Sequence, residues 1–208
     1  MTDVPADPSP WAAFYGDRLD DLLRLLDGGD LDPALPVPAT PQWTLRDVVA
    51  HLAGVGADMV AGRLDGAPGE AWTARQVAER ADRTLAELIE ELRDGRDAAV
   101  AAVAASGVAP PAFDSAVHLA DLHEALGLPA PASSAWAPIL EAVADRVAPL
   151  RGRVPDYELF RAAFSRRSRR QLQAMAPHFT AEEIELVGVF GTRDDDQPVP
   201  PTAGGGSG

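Results

Sequence analysis

Two residues that commonly bind metals lie one helical turn apart in this sequence. Asp114 and His118 are separated by four positions, so a helix would place both side chains on one face. A third such residue, His51, lies among apolar residues that recur at helical spacing from Val48 to Met59. Taken alone, that apolar pattern is more typical of a hydrogen-bonded core histidine than of a metal ligand.

The spacing of polar residues around His118 changes this interpretation. Asp114, His118 and Asp121 form one polar stripe where a helix in a bundle would bury apolar side chains. Burial of such groups is costly unless they pair or bind a metal. With His51 they offer two imidazoles and a carboxylate, a set that suits a catalytic zinc with an open position and also non-haem iron. Asp121 would then orient a ligand. The alternative is a buried hydrogen-bond network without metal.

A dense group of arginines follows near the C-terminus of an acidic chain. Arg166, Arg167, Arg169 and Arg170 are almost consecutive, and Arg161 lies just upstream. One interpretation is that they form salt bridges with the many acidic residues. The other is an anion clamp, since arginine grips a carboxylate of a substrate or cofactor with two parallel hydrogen bonds. The pattern fits both equally.

Composition excludes several classes of function. The chain has no cysteine, so any sulfur chemistry needs an external thiol. A net charge of -14 disfavours binding to nucleic acid or an anionic membrane, and favours a small-molecule substrate or a protein partner. No apolar run approaches the roughly 20 residues of a membrane helix, and the N-terminus lacks a secretory signal, which predicts a cytoplasmic protein. All basic residues are arginine, a bias typical of a GC-rich genome such as an actinobacterial one.

Apolar residues recur at helical spacing through most of the chain, and no run of alternating β-branched residues appears. The pattern therefore predicts an all-α protein. The start and stop signals predict helices over about 11–26, 45–63, from 73 past 92 with a break or bend near 95, 112–126, from 133 or 134, 157–175, and a short one after 180. We expect a metal-binding helical bundle over 1–150, a helical extension over 151–192 and a disordered tail over 193–208.

Two segments resemble the mycothiol-dependent maleylpyruvate isomerase family: residues 43–54, WTLRDVVAHLAG, and residues 114–122, DSAVHLADL. Residues 62–66, GRLDG, and 71–77, AWTARQV, are also similar to that family. The resemblance implies a DinB-like four-helix bundle. The family's metal ligands are a His after the Trp-Thr motif, an acid, and a His four residues later, which match His51, Asp114 and His118.

A third segment, residues 158–166, ELFRAAFSR, resembles a family segment that ends in Gly-Arg. The family's arginine contributes to activity, and Arg166 matches it. Ser165 stands where the family has glycine, and the C-terminal part is short for the α/β domain of the full isomerase.

The resemblance implies an enzyme that uses a divalent metal, with zinc as the first choice, and the thiol cofactor mycothiol. It would act on a small electrophilic substrate as an S-transferase or isomerase. Arg166 and Asp121 are the candidate catalytic residues, and Arg161 and Arg167 are candidates for binding the cofactor. The alternative is a non-catalytic, metal-stabilised helical module that binds a partner protein. An open metal position that faces a pocket favours the enzyme. A homodimer is a further expectation that the sequence leaves open.

Overall fold

The computed structural model describes residues 10–200 of the chain. Within those residues every regular element is a helix, which confirms the predicted all-α class. The α-helices in this range are α1 Pro10–Leu26, α2 Leu45–Ala61, α3 Glu70–Ala78, α4 Leu85–Ser106, α5 Pro110–Ala125, α6 Ala137–Ala142, α7 Ala144–Val147, α8 Asp156–Ala163, α9 Arg169–Met175 and α10 Ala181–Glu185. Among the described residues, none of these helices is long and apolar enough to cross a membrane.

The contacts divide the chain into two compact units. Among the described residues, the N-terminal unit comprises 10–37 and 41–119, and the C-terminal unit comprises 38–40 and 120–200. The division falls inside α5, whereas the sequence pattern predicts a boundary at residue 150. Start and stop signals mark single helices, and they do not show which helices pack together.

The N-terminal unit is built around α4, which packs against both α1 and α2, while α3 packs on α2. Leu22 of α1, Val49 of α2 and Leu88 of α4 are fully buried in this core. Burial of such side chains is the main favourable contribution to folding, at roughly 1.5–3 kcal/mol for each. The packing therefore holds α2 firmly, and α2 carries His51.

The start of α2 is fixed by a capping box. The Thr44 hydroxyl accepts from the backbone N–H of Asp47, and the Asp47 carboxylate accepts from the backbone N–H of Thr44 at 3.0 Å. The helix ends at Gly62, whose φ of 67° is the left-handed conformation that favours glycine. These two signals set the register in which His51 and Asp58 lie two turns apart on one face.

Two predicted helices are each interrupted in the structure. The helix expected from residue 73 past 92 is α3 and α4, because Thr84 and Glu87 form a second capping box that begins α4. The helix expected over 157–175 is α8 and α9. Between them Ser165 has a φ of 60°, a left-handed conformation that ends α8 and that glycine adopts more readily. The glycine of the resembling family segment falls at this position.

The C-terminal unit has its own apolar core. Ile139 of α6 and Leu159 and Phe160 of α8 are fully buried, and the Phe160 ring stacks on Trp136 at 5.9 Å between centroids. The core anchors α8, which carries Arg161.

The first residues of the predicted disordered tail lie against α9. Ser168 donates a hydrogen bond to Asp196, and the Gln171 side chain donates to the carbonyl of Gln197 at 2.6 Å. Gln197 is 5% exposed. In the structure, polar side chains of α9 thus bind this segment, and the disorder of the tail stays a prediction. Residues 201–208 lie outside the described part of the chain.

Candidate metal centre

Three residues of the N-terminal unit converge on one point. His51 comes from the middle of α2, and Asp114 and His118 come from successive turns of α5. One possible ligand atom from each residue lies within 4.8 Å of those of the other two. The side chains of His51 and His118 are 2% and 6% exposed, and that of Asp114 is 31% exposed. The structure thus brings together the three residues that the sequence predicts as metal ligands, and the side chain of Asp114 is the most exposed of the three.

The distances within this group fit a coordination shell. His51 Nε2 lies 3.2 Å from Asp114 Oδ2 and 3.4 Å from Oδ1, and His118 Nε2 lies 3.5 Å from Oδ1. Ligand atoms that bind zinc tetrahedrally at 2.0–2.1 Å are about 3.4 Å from each other. The separation between each imidazole nitrogen and the carboxylate is therefore that of two ligands of one metal ion.

Gln76 of α3 determines which nitrogen of His51 faces Asp114. Gln76 Nε2 donates to the Asp58 carboxylate at 2.7 Å, so Gln76 Oε1 points at His51 Nδ1, also at 2.7 Å. Because Oε1 can only accept, Nδ1 carries the hydrogen. A neutral His51 then directs the lone pair of Nε2 at a carboxylate, an arrangement that needs a cation between them. A metal ion satisfies this requirement, and so would a proton on Nε2.

Asp58 anchors this hydrogen-bond chain. Its buried carboxylate also forms ion pairs with Arg75 at 2.6 Å and with Arg63 at 2.9 Å. Burial alone would raise the pKa of Asp58, but the hydrogen bonds from Arg75 and Gln76 outweigh it and hold the pKa below its ordinary value. Asp58 therefore stays an anionic acceptor for Gln76.

The charge of Asp114 is supported in the same way. Burial would raise the pKa of its carboxyl group, but positive charge on His51 and His118, when these imidazoles are protonated, lowers the pKa well below its ordinary value. An ionised carboxylate is the form that binds a metal.

Two indole rings lie against the imidazoles. The centroid of Trp43 is 5.0 Å from that of His51 and 6.0 Å from that of His118. Trp72 of α3 meets His51 edge-on at 6.2 Å, and its Nε1 donates to the Arg63 carbonyl. These rings shield the imidazoles from water on those sides, which strengthens electrostatic interactions at the site.

A cavity of about 240 Å³ borders Asp114 in the N-terminal unit. Its lining residues are Val55, Met59, Leu64, Ala67, Pro68, Trp72, Val108, Pro110, Pro111 and Asp114. A small molecule in this cavity would lie next to a candidate metal ligand.

Residues 15–114 match the family described as the mycothiol maleylpyruvate isomerase N-terminal domain. This part of the chain is similar to that family, as the sequence motifs predict. The match contains His51, Gln76 and Asp114 and ends four residues before His118. No curated protein and no solved structure matches the chain.

Two residues that the sequence analysis does not single out, Gln76 and Asp58, orient His51. The orienting role expected for Asp121 stays a prediction. Asp58 lies seven positions after His51, a spacing that places both on one face of α2. Gln76 lies in one of the segments that resemble the family. Its contact with His51 depends on how α3 packs on α2, which spacing along the chain does not reveal.

The predicted arginine site is a buried ion cluster of the C-terminal unit. Arg161 donates to Asp121 at 2.5 Å and to Glu124 at 2.8 Å, and both guanidinium and carboxylates are almost wholly buried. Three arginines and three carboxylates make up the cluster: Arg161, Arg166, Arg167, Asp121, Glu124 and Glu158.

These contacts are those of the salt-bridge interpretation of the arginines. Arg167 is fully buried and pairs with Glu124, whereas the Arg166 side chain is 13% exposed and grips Asp121 with two donors. An anion from outside would have to displace a carboxylate of the same unit. Catalytic roles for Arg166 and Asp121, and cofactor binding by Arg161 and Arg167, stay predictions.

The packing of α3 on α2 depends on a glycine of α2. A Cβ atom at Gly54 would lie 2.6 Å from Gln76 Cβ and 2.8 Å from its Cγ. Both distances are shorter than non-bonded carbons tolerate. Only glycine at position 54 therefore lets Gln76 sit where it reaches His51.

We expect Gly54→Ala to weaken zinc binding by about 10- to 100-fold, because a displaced Gln76 no longer orients His51. The overpacked contact should also lower the free energy of unfolding by about 1–3 kcal/mol. The matched control is Gly95→Ala in α4, where a Cβ meets nothing within 4 Å. The control should keep its zinc affinity and gain roughly 0.5–1 kcal/mol. Chelator competition and chemical denaturation measure the two effects, and a Gly54→Ala variant with normal zinc affinity would contradict the role of Gln76.

We expect Glu124→Gln to lower the free energy of unfolding by about 3–5 kcal/mol, because it leaves Arg161 and Arg167 buried with a missing counter-charge. Glu141→Gln provides the control, since Glu141 is 66% exposed and pairs with Arg151 at the surface. That change should stay within about 0.5 kcal/mol of the wild type. Equal effects of the two substitutions in urea denaturation would show that the cluster is not structural.

Proposed function

We propose that this chain is a divalent-metal-dependent enzyme that uses a low-molecular-weight thiol, mycothiol, to act on a small electrophilic substrate. The reaction would be S-transfer or isomerisation. The observation that carries the proposal is the placement of two imidazoles and one carboxylate at ligand spacing beside a cavity.

The family adds the thiol to this proposal. The domain that residues 15–114 match is described by mycothiol and by an isomerase activity. The chain itself has no cysteine, so a reaction at sulfur would need a thiol from outside. An external thiol cofactor is consistent with both facts.

The number of candidate ligands supports an enzyme over a structural module. Among residues 10–200 the group consists of His51, Asp114 and His118. Catalytic zinc sites have three protein ligands and an open fourth position, whereas structural sites are closed by a fourth side chain. The cavity beside Asp114 provides space for a substrate or thiol at such an open position.

The residues at this site would have different roles in metal binding. A bound divalent cation would act as a Lewis acid and would lower the pKa of a coordinated thiol. His51 and His118 would hold it with neutral nitrogens, and Asp114 would supply one negative charge. Gln76 would keep the Nδ1 hydrogen of His51 pointing away from the metal position. Zinc is the proposed ion because two imidazoles and one carboxylate are a common catalytic zinc set.

Metal content tests the ligand assignment. Protein purified without chelator should contain close to one equivalent of divalent metal by elemental mass spectrometry. His51→Ala and His118→Ala should each lose it, because two ligands bind a metal far more weakly than three. His178→Ala, at an exposed loop position, should retain it. Absence of metal together with no uptake of added zinc, nickel or iron would contradict the proposed function.

Cobalt substitution tests the use of a thiol. Adding mycothiol to the cobalt-loaded protein should produce a sulfur-to-cobalt charge-transfer band in the near ultraviolet, because a thiolate would occupy the open position. Asp114→Asn should weaken the band through poorer metal binding, whereas His178→Ala should leave it unchanged. A cobalt-loaded protein whose spectrum does not respond to mycothiol or to other small thiols would exclude thiol activation at this metal.

A further inference from the structure

The lining of the cavity beside Asp114 is almost entirely apolar. Of its ten lining residues, Asp114 alone is charged, and the other nine are apolar. Val55 and Met59 of α2, Trp72 of α3 and the prolines that begin α5 form its walls. From this lining we infer that the cavity takes an uncharged, apolar group of the substrate. The inference rests on the proposed function, since the reacting end of that substrate would lie at the metal position.

Charge argues against an anionic occupant. A carboxylate or phosphate in this cavity would lie near Asp114, and no basic residue lines it to compensate. Arg63, the nearest arginine along the chain to the lining residue Leu64, pairs with the buried Asp58. An anionic group would therefore lose its hydration without gaining a partner. The lining thus selects against substrates whose non-reacting part carries a negative charge.

The volume of the cavity limits the size of the substrate group that it can hold. An apolar protein cavity of about 150 Å³ is large enough to bind benzene, and the cavity here is about 240 Å³. It would hold a single aromatic ring with a small substituent, or a branched alkyl group of similar volume. Trp72 offers an aromatic surface on one wall, and ring pairs gain stability beyond the burial of area. The expected substrate is an electrophile whose non-reacting part is a small, neutral hydrophobic group.

Fluorine NMR titration tests the cavity directly. Fluorobenzene has no metal-binding group, so it reports on the cavity in both the zinc-loaded and the metal-stripped full-length protein. We expect saturable binding in both forms. In the metal-stripped protein, where no cation offsets Asp114, the charged analogue 4-fluorobenzenesulfonate should bind at least tenfold more weakly than fluorobenzene, because its anionic group would be desolvated near this carboxylate.

Matched variants place the bound probe. Leu64 lines the cavity and is 38% exposed, so a polar residue fits there without unfolding the protein. Leu64→Glu should weaken fluorobenzene binding at least tenfold. Val60→Glu, at a 54% exposed position of α2 that does not line this cavity, should leave it unchanged. Leu64→Arg should instead improve binding of the sulfonate, because it supplies the missing positive charge.

The outcomes separate the two proposals. Absence of saturable fluorobenzene binding, equal affinity for the sulfonate, or equal effects of Leu64→Glu and Val60→Glu would overturn the inference. A protein that binds fluorobenzene as expected but takes up no metal would refute the proposed function and leave the cavity as an apolar ligand site. A protein that binds metal without binding fluorobenzene would refute the inference alone.

Discussion

The hydrogen bond between Gln76 Oε1 and His51 Nδ1 is the constraint on which the candidate centre depends. It fixes the hydrogen on Nδ1, so that Nε2 faces Asp114 at ligand spacing. In this bond His51 donates and Gln76 accepts. The direction is fixed because the Gln76 amide group donates to Asp58, an anionic group that cannot donate in return. Without this chain the imidazole could rotate or change tautomer, and the donor set would no longer be preorganised for a cation.

The packing of the N-terminal unit holds His51 and Gln76 in contact. The capping box at Thr44 sets where α2 begins, and the core between α2 and α4 holds that helix in place. Gly54 permits the close approach of α3 that brings Gln76 to His51. The same packing places Trp72 beside the imidazole and in the wall of the apolar cavity. One helix contact thus sets both the orientation of a ligand and the character of the space next to it.

Much of this architecture follows from the sequence. Helical periodicity predicts the all-α class, and the spacing of Asp114 and His118, together with the family resemblance, predicts the candidate ligands that the structure brings together. The sequence pattern does not predict that Gln76 meets His51, because that contact joins two helices whose packing is set by a single glycine. Nor does it decide between an anion clamp and a buried ion cluster for the arginines. That depends on contacts such as those of Glu124, which lies 37 positions before Arg161 in the chain but pairs with both Arg161 and Arg167.

The most direct test of the account is X-ray absorption spectroscopy at the zinc edge of the zinc-loaded protein. We predict a shell of nitrogen and oxygen atoms at about 2.0 Å that includes two imidazoles, with one ligand that exchanges for sulfur when mycothiol is added. A zinc ion with four fixed protein ligands, or one bound by fewer than two imidazoles, would contradict the assignment of His51, Asp114 and His118 as an open catalytic site.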